Sequence, residues 1–380
     1  MQRAQFSELF WNAPHVFEGV RAIDPLGFDA LREAMSNVLV PYLTGATRHA
    51  EHYVAVLVGL RWAKSRSTNP IDREIWPLFA RFERGLKQYW HRHPSGRLAR
   101  NRYLGKRRIK EICDGPRPDV EAPILQDQRA IGLLANYIES LRAIGLVRPG
   151  QLLVEDSAVS ELLGDPRFEW AGTSPGRWDG LERTFKMVDT PTAWPRLGRR
   201  LFDSDGLADG RVRMYAAARA VVAQSGAQAW THLARSRHLL APQQAIAAGT
   251  AVTAELEERL REQFAVLLRG AAPARDAMTS RRVRALAATL LRRRVIDNAW
   301  PAEPALAGVL RRELESLSAG QGSPQGLLLW HQEVVRTRGA DPWIRELGER
   351  SSLELPPQRV EPDFRFGNLR TLLGETKWRS

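Results

Sequence analysis

Apolar residues recur three and four positions apart along most of this chain, which is the period of an amphipathic α-helix. The pattern is clear from Phe28 to Leu39, before Pro41, and again from Asp72 to His91. Asp24 and Pro25 are expected to cap the first of these helices and to occupy its first turn. The spacing predicts a mainly α fold.

The segment between these two helices is apolar on nearly all sides. It is expected to begin after a capping residue at Thr47 and it carries Tyr53, Val54, Leu57, Val58 and Trp62. A helix that is apolar all round belongs in an interior. This segment is therefore predicted to form the core of the N-terminal part.

Later segments continue the helical period and are separated by loops rich in Gly, Pro, Ser and Asp. The predicted helices lie at about 126–144, 178–187, 211–224, 228–239, 254–268, 281–295, 304–317 and 325–337. Because 380 residues exceed what one core usually holds, we expect more than one unit. The predicted domains are an N-terminal helical domain, a winged-helix-like module and a C-terminal helical domain, at residues 1–113, 114–170 and 171–380.

One segment departs from the helical pattern. The helix that ends at Gly145 leads into Leu146–Val147, a turn at Arg148–Gln151 and the apolar run Leu152–Val154, which predicts a hairpin. A helix followed by a hairpin is typical of a winged helix, and an isolated hairpin on a helical domain is the alternative. Such modules also join proteins, so the pattern does not establish DNA binding. In a DNA reader, the outward residues would be Asn136, Ser140, Arg129 and Arg142, with Glu139 among them.

The charge balance favours an anionic partner. The chain has 56 Lys and Arg against 43 Asp and Glu, a formal net charge of +13 and a pI near 10.5. Such a field attracts polyanions, of which nucleic acid is the commonest. Nearly all of these cations are Arg, so the codon bias of a GC-rich bacterial genome is an alternative source of part of the excess.

Cations are densest between Arg81 and Lys110, where Tyr89, Trp90 and Tyr103 are interleaved with them. Phosphates would neutralise such a surface, and Trp90 or Tyr103 could stack on bases. A second basic run lies between 281 and 294. The predicted nucleic-acid contacts are Arg92, Arg97, Arg100, Arg102, Tyr103, Lys106, Arg107, Arg108, Lys110, Arg129, Arg148, Arg292 and Arg293. The alternatives are a solvated basic face over core aromatics, or arginines that bind Asp and Glu on another subunit.

No metal or cofactor site is predicted. The single cysteine, Cys113, is interpreted as a small hydrophobe. His49 and His52 stand three apart on a helix, but no third ligand is nearby, which favours a polar network over a metal site. No phosphate-binding glycine loop or serine-hydrolase elbow is present. Without a signal peptide or a long apolar run, a cytoplasmic bacterial protein with no membrane contact is expected.

The C-terminal stretch contains the letters of a magnesium-dependent nuclease motif, at Pro362, Asp363, Glu375 and Lys377. In those enzymes the aspartate and the Glu-x-Lys lie on adjacent strands. Here Leu369, Leu372 and Leu373 recur at helical spacing, so we predict instead a terminal helix that starts at Pro362 and Asp363 and ends at Gly374.

Several phrases together resemble a family of poorly characterised proteins from bacterial anti-phage defence islands. These phrases are FDALREAMSNVLVPYL, TGATRHAEHYVAVLVGLRWA, KQYWHR, ANYIESLRAIGLV and FRFGNLRTLL. The resemblance implies an accessory or sensing component that works beside a helicase or nuclease subunit. It transfers no functional residue.

The resulting hypothesis is a non-catalytic nucleic-acid-binding component of a bacterial multi-subunit system, with DNA favoured over RNA as its ligand. Two alternatives stay open. One is an assembly subunit that binds an acidic protein partner. The other is a metal-dependent nuclease that uses the C-terminal motif.

Overall fold

A computed structural model shows a helical protein. It describes residues 24–41, 43, 49–94, 105–114, 124–125, 132–163, 185, 188, 193–202, 210–219, 221, 226–300, 304–339, 341–351 and 366–376. These residues form sixteen α-helices and two isolated antiparallel bridges, with no regular strand among them. The predicted mainly α fold is confirmed.

The helices are short to medium in length, with one exception of 28 residues. In chain order they are α1 Phe28–Leu39, α2 Ala50–Arg66, α3 Asp72–Arg92, α4 Lys106–Asp114, α5 Leu133–Ala143, α6 Asp156–Leu163, α7 Trp194–Phe202, α8 Gly210–Arg219, α9 Gly226–Leu233, α10 Ala241–Leu268, α11 Arg275–Thr279, α12 Arg281–Arg292, α13 Val295–Ala299, α14 Ala305–Ser318, α15 Pro324–Thr337 and α16 Phe366–Glu375.

The helices group into two compact units, each built from separate stretches of chain. Unit 1 contains α2 to α7 and the last helix, α16, whereas unit 2 contains α1 and α8 to α15. This grouping does not test the predicted boundaries at 1–113, 114–170 and 171–380, which stay a prediction.

The core of unit 1 is built around α2, against which α3, α5 and α7 pack. Thirteen of its seventeen residues are buried, so the prediction of a core helix is confirmed. Gly59 allows α3 to approach closely, because a Cβ at this position would lie 2.5 Å from Cδ1 of Phe82.

A turn closed by one antiparallel bridge follows α5 in unit 1, where the sequence predicts a hairpin. Gly145 ends the helix with φ +69°, in the left-handed region. Val147 then pairs with Val154, and the Arg148 amide donates to the Leu153 carbonyl at 2.8 Å. The turn is attached to other elements of the unit, because the Leu152 amide donates to Oδ1 of Asp72, on α3, at 2.7 Å.

Unit 2 is centred on α10, which packs against α1, α9, α12 and α13. The most extensive helix–helix contact in this unit is between α12 and α14, and α14 also packs against α15. Gly249 on α10 has Val295 of α13 directly above it, where a Cβ would lie 2.6 Å from Cγ2 of the valine.

Some helix ends differ from the predictions. The first helix begins at Phe28, after Gly27, and Asp24 reaches its first turn through a hydrogen bond from the Ala30 amide at 3.1 Å. The helix predicted at 254–268 begins at Ala241, and the one predicted at 228–239 ends at Leu233. The helices α4, α6, α7, α11 and α13 were not predicted, and most of the segment 178–187 lies outside the described residues.

The terminal helix α16 docks through its apolar residues, as predicted. Leu369 and Leu372 are fully buried and Leu373 is 8% exposed. The helix continues through Gly374 to Glu375, one residue beyond the predicted end, and the predicted start at 362 and 363 lies outside the described residues. Among the helices that the structure describes, none is both long enough and apolar enough to cross a bilayer.

Candidate nucleic-acid interface

The helix α4 presents cations to solvent on one face and two isoleucines to the interior on the other. Ile109 and Ile112 are buried, and the helix packs against α3. The positions facing away from them are exposed, and Arg107 is 95% exposed. They are Lys106, Arg107, Arg108 and Lys110.

Arg92, at the end of α3, extends this cationic face because it is exposed and its charge lies close enough to the Cys113 thiol of α4 to lower the pKa of that thiol. We call these five residues the basic surface: Arg92, Lys106, Arg107, Arg108 and Lys110.

Two carboxylates accompany the basic surface. Glu111 lies 3.4 Å from Arg107 and 3.2 Å from Arg108, and both pairs are exposed. Asp114 lies 3.0 Å from His91. Exposed ion pairs of this kind contribute little to stability. Since two carboxylates accompany five cations among the described residues, positive charge remains in excess, and phosphate groups could neutralise it.

Other predicted contacts lie elsewhere. Arg148 is exposed on the hairpin turn and its Nε lies 3.1 Å from Glu155, so it is not part of the basic surface. Arg292 and Arg293 are exposed at the end of α12 in unit 2. The remaining five lie outside the described residues: Arg97, Arg100, Arg102, Tyr103 and Arg129.

Part of the cation-rich segment is interior. Lys87 is 1% exposed and its Nζ lies 2.6 Å from Oε1 of Glu83, which is fully buried. The same Glu83 oxygen accepts the Leu133 amide at the start of α5, at 2.9 Å. Trp90 is also fully buried, so its suggested role as a base-stacking platform is wrong.

The polar residues of α5 are hydrogen-bonded to neighbours within unit 1. The Ser140 hydroxyl is 2.8 Å from the Tyr53 hydroxyl, and the Asn136 side chain donates to the Gly132 carbonyl. Arg142 donates to Glu139, the exposed residue of this helix, at 2.6 Å. Of these α5 side chains only Ser140 is buried, and the Arg142–Glu139 pair lies at the surface. All of them already have partners within unit 1, which is unlike a helix that reads bases.

His49, His52 and Glu375 belong to a buried polar network of unit 1. His49 Nδ1 lies 2.7 Å from Glu375 Oε1, and the other oxygen of Glu375 accepts the Ala50 amide at 2.7 Å. His52 Nδ1 lies 3.0 Å from the Tyr137 hydroxyl. Glu375 thus accepts a hydrogen bond from a backbone amide in the first turn of α2 and caps that helix. The sequence does not indicate this role, because the two residues are more than three hundred positions apart.

The same geometry bears on the nuclease alternative. Glu375 lies on a helix and is engaged by α2, whereas the motif requires it on a strand. Asp363 and Lys377 lie outside the described residues. Within the part of the chain that the structure describes, no group of three or more His, Cys, Asp or Glu could hold a metal ion.

Cys113 is not an activated thiol. Burial raises the pKa of its thiol above the usual value, and this outweighs the opposing effect of Arg92. This agrees with its interpretation as a small hydrophobe.

The comparisons add no relative to this picture. No protein-family model, no curated protein and no solved structure matches the chain.

Proposed function

We propose that this protein binds nucleic acid through the basic surface and does so without catalysing a reaction. The observation that carries the proposal is the exposed face of α4, where four cations stand beside Arg92 and share few carboxylates. Binding would release the counterions condensed on the phosphates, which makes affinity strongly dependent on salt. Lys110 has no ion-pair partner among the described residues, so it needs no rearrangement to bind a phosphate.

DNA is the favoured ligand, and we propose that α5 with its hairpin is a winged-helix-like scaffold for this surface. In this proposal the scaffold does not read bases, since its polar residues are engaged within unit 1. The attachment of the turn to Asp72 supports the same interpretation. Recognition would then be independent of sequence.

The biological context is proposed from the resemblance alone. The protein would act as an accessory component of a bacterial multi-subunit system, such as anti-phage defence, beside a helicase or nuclease subunit. A basic binding surface suits a component that holds nucleic acid while another subunit acts on it.

Fluorescence anisotropy with labelled DNA tests the proposal. Wild-type protein is expected to bind at low salt and to lose affinity steeply between about 50 and 200 mM salt. The triple variant Arg107→Gln/Arg108→Gln/Lys110→Gln removes up to three cations that would bind phosphates. The slope of log affinity against log salt should become shallower by roughly 0.9 for each phosphate that is no longer neutralised.

The matched control removes three arginines that are held in ion pairs, through Arg259→Gln/Arg282→Gln/Arg312→Gln. It changes the net charge equally, so a general charge effect would weaken both variants alike. Equal weakening, or a wild-type slope near zero, would refute the proposal. Co-purification of a stoichiometric acidic protein without nucleic acid would favour the assembly alternative instead.

A further inference from the structure

A second arginine-rich face lies on α12 in unit 2 and is not part of the basic surface. Val283, Leu286 and Leu290 of this helix are buried, and the helix packs against α10 and α14. Successive residues turn by about 100°, so the opposite face is a single line of exposed positions. We call it the α12 stripe: Arg281, Arg284, Ala285, Ala288 and Arg292.

No carboxylate of the described residues holds the arginines of this stripe, whereas carboxylates hold eight other arginines of unit 2. Within the described residues, Arg281 and Arg284 form no ion pair, and Arg292 donates only to the Thr289 hydroxyl at 3.3 Å. Carboxylates do hold the following arginines: Arg32, Arg259, Arg261, Arg282, Arg294, Arg311, Arg312 and Arg338. The stripe is therefore available to an external anion.

The spacing of these cations fits a duplex. Arg284 and Arg292 are eight residues apart, which corresponds to roughly 12 Å along a helix. The major groove of B-DNA is about 12 Å wide, with a phosphate backbone on each side. Ala285 and Ala288 lie between the two arginines, and their small side chains allow the helix axis to come close to the groove.

We propose that the α12 stripe binds the two phosphate backbones of duplex DNA across the major groove. The proposal rests on the proposed nucleic-acid function and names its ligand as a duplex. Alanine has no side-chain hydrogen-bonding groups for base edges, so binding would not depend on sequence. The stripe carries no aromatic residue, whereas proteins that bind single strands use aromatic side chains as stacking platforms.

The test is the triple variant Arg281→Gln/Arg284→Gln/Arg292→Gln, titrated with a mixed-sequence duplex and with one of its strands alone. For the duplex, the salt slope should become shallower by about 2.7, and the affinity at low salt should fall by about tenfold or more. Affinity for the single strand should change less. The control is again Arg259→Gln/Arg282→Gln/Arg312→Gln, which should retain the wild-type duplex slope, and circular dichroism would verify that each variant is folded.

The outcomes separate this proposal from the proposed function. If wild-type protein binds neither strand form, the nucleic-acid function itself is wrong. If wild type binds but the α12 variant keeps the wild-type duplex slope, the α12 stripe is not an interface, although the basic surface can still be one. Equal losses for duplex and single strand would overturn duplex specificity. If the α12 variant loses affinity for polyglutamate as strongly as for the duplex, the partner is an acidic protein instead.

Discussion

Protonation of His331 should destabilise unit 2, because this histidine is fully buried and both of its ring nitrogens are hydrogen-bonded. Its Nδ1 donates to the Pro25 carbonyl at 3.1 Å, and its Nε2 accepts the Trp343 amide at 3.1 Å. The ring also packs against Phe264 and Trp343, with centroids 4.8 and 5.0 Å away. Only the neutral ring can make both hydrogen bonds, since a protonated ring has no acceptor for the Trp343 amide.

The size of the effect follows from the pKa. Burial lowers the pKa of His331 from 6.5 to about 4, so the unfolded chain binds a proton over a range in which the folded protein does not. Above pH 6.5 the neutral His331 contributes its full stabilisation to the folded protein. The free energy of unfolding then falls as the pH drops from 6.5 towards 4. The total loss is about 3 kcal/mol, of which about 2 kcal/mol appears between pH 7 and pH 5.

Equilibrium urea unfolding at pH 7 and pH 5, followed by tryptophan fluorescence, would measure this loss. The variant His331→Gln should be less stable than wild type at pH 7, but it should lose about 2 kcal/mol less on going to pH 5. Carboxylates that titrate in the same range affect both proteins equally and cancel in the difference. The exposed His238 provides the control, because His238→Gln removes an imidazole that lies outside the core of unit 2. If His331→Gln loses as much stability as wild type, the reasoning is wrong.

Three further predictions concern stability and use the same unfolding assay. Lys87→Met should destabilise unit 1 by about 3 to 5 kcal/mol because it removes the ion-pair partner of the buried Glu83. The double variant Lys87→Met/Glu83→Gln should recover much of this loss. A double variant as unstable as the single variant would contradict the ion-pair argument. Gly59→Ala should destabilise unit 1 by about 1 to 3 kcal/mol because the added methyl group would clash with Phe82. Gly308→Ala has open space around its Cβ position and should stabilise α14 by about 0.5 to 1 kcal/mol. Equal effects of the two substitutions would refute the steric explanation. Glu375→Ala should cost about 1 to 2 kcal/mol by removing the acceptor for the Ala50 amide, and an unchanged midpoint would show that this cap is dispensable.

Some of this structure could be predicted because the relevant signal is local. The helix α2 is apolar on every side, and only burial in a core stabilises such a segment in water. The hairpin after α5 follows from Gly145 and from the turn at Pro149 and Gly150, which place their special backbone angles at fixed positions. The leucines of α16 recur at helical spacing, and this spacing predicts which face of the helix is buried.

Other features were hidden because they depend on tertiary packing. The helix α4 has only Ile109 and Ile112 as apolar anchors among charges, which is too short a pattern to show a period. The first half of α10 is rich in small and polar residues, and Gly249 is suitable there only because Val295 lies against it.

All five residues of the basic surface are among the predicted contacts, but the buried ion pair in the same cation-rich segment was hidden. Glu83 and Lys87, four residues apart, look like an exposed helical pair. Their burial depends on α5, whose first amide contacts Glu83, and nothing in their local sequence indicates it.

The positions of the arginines in the structure help to explain their excess. They distinguish a binding function from codon bias better than the total number of arginines does. Bias adds arginines without regard to neighbours, and a folded chain can satisfy them with nearby carboxylates, as Glu257 does for Arg32 and Arg261. That arrangement is internal, and burial raises the pKa of Glu257 despite both partners. The basic surface and the α12 stripe follow another pattern, since they gather cations on exposed helix faces with few acids or none. Concentrated like charges repel one another, so an anionic ligand would stabilise both faces, and added DNA should raise the unfolding temperature in low salt and not in high salt.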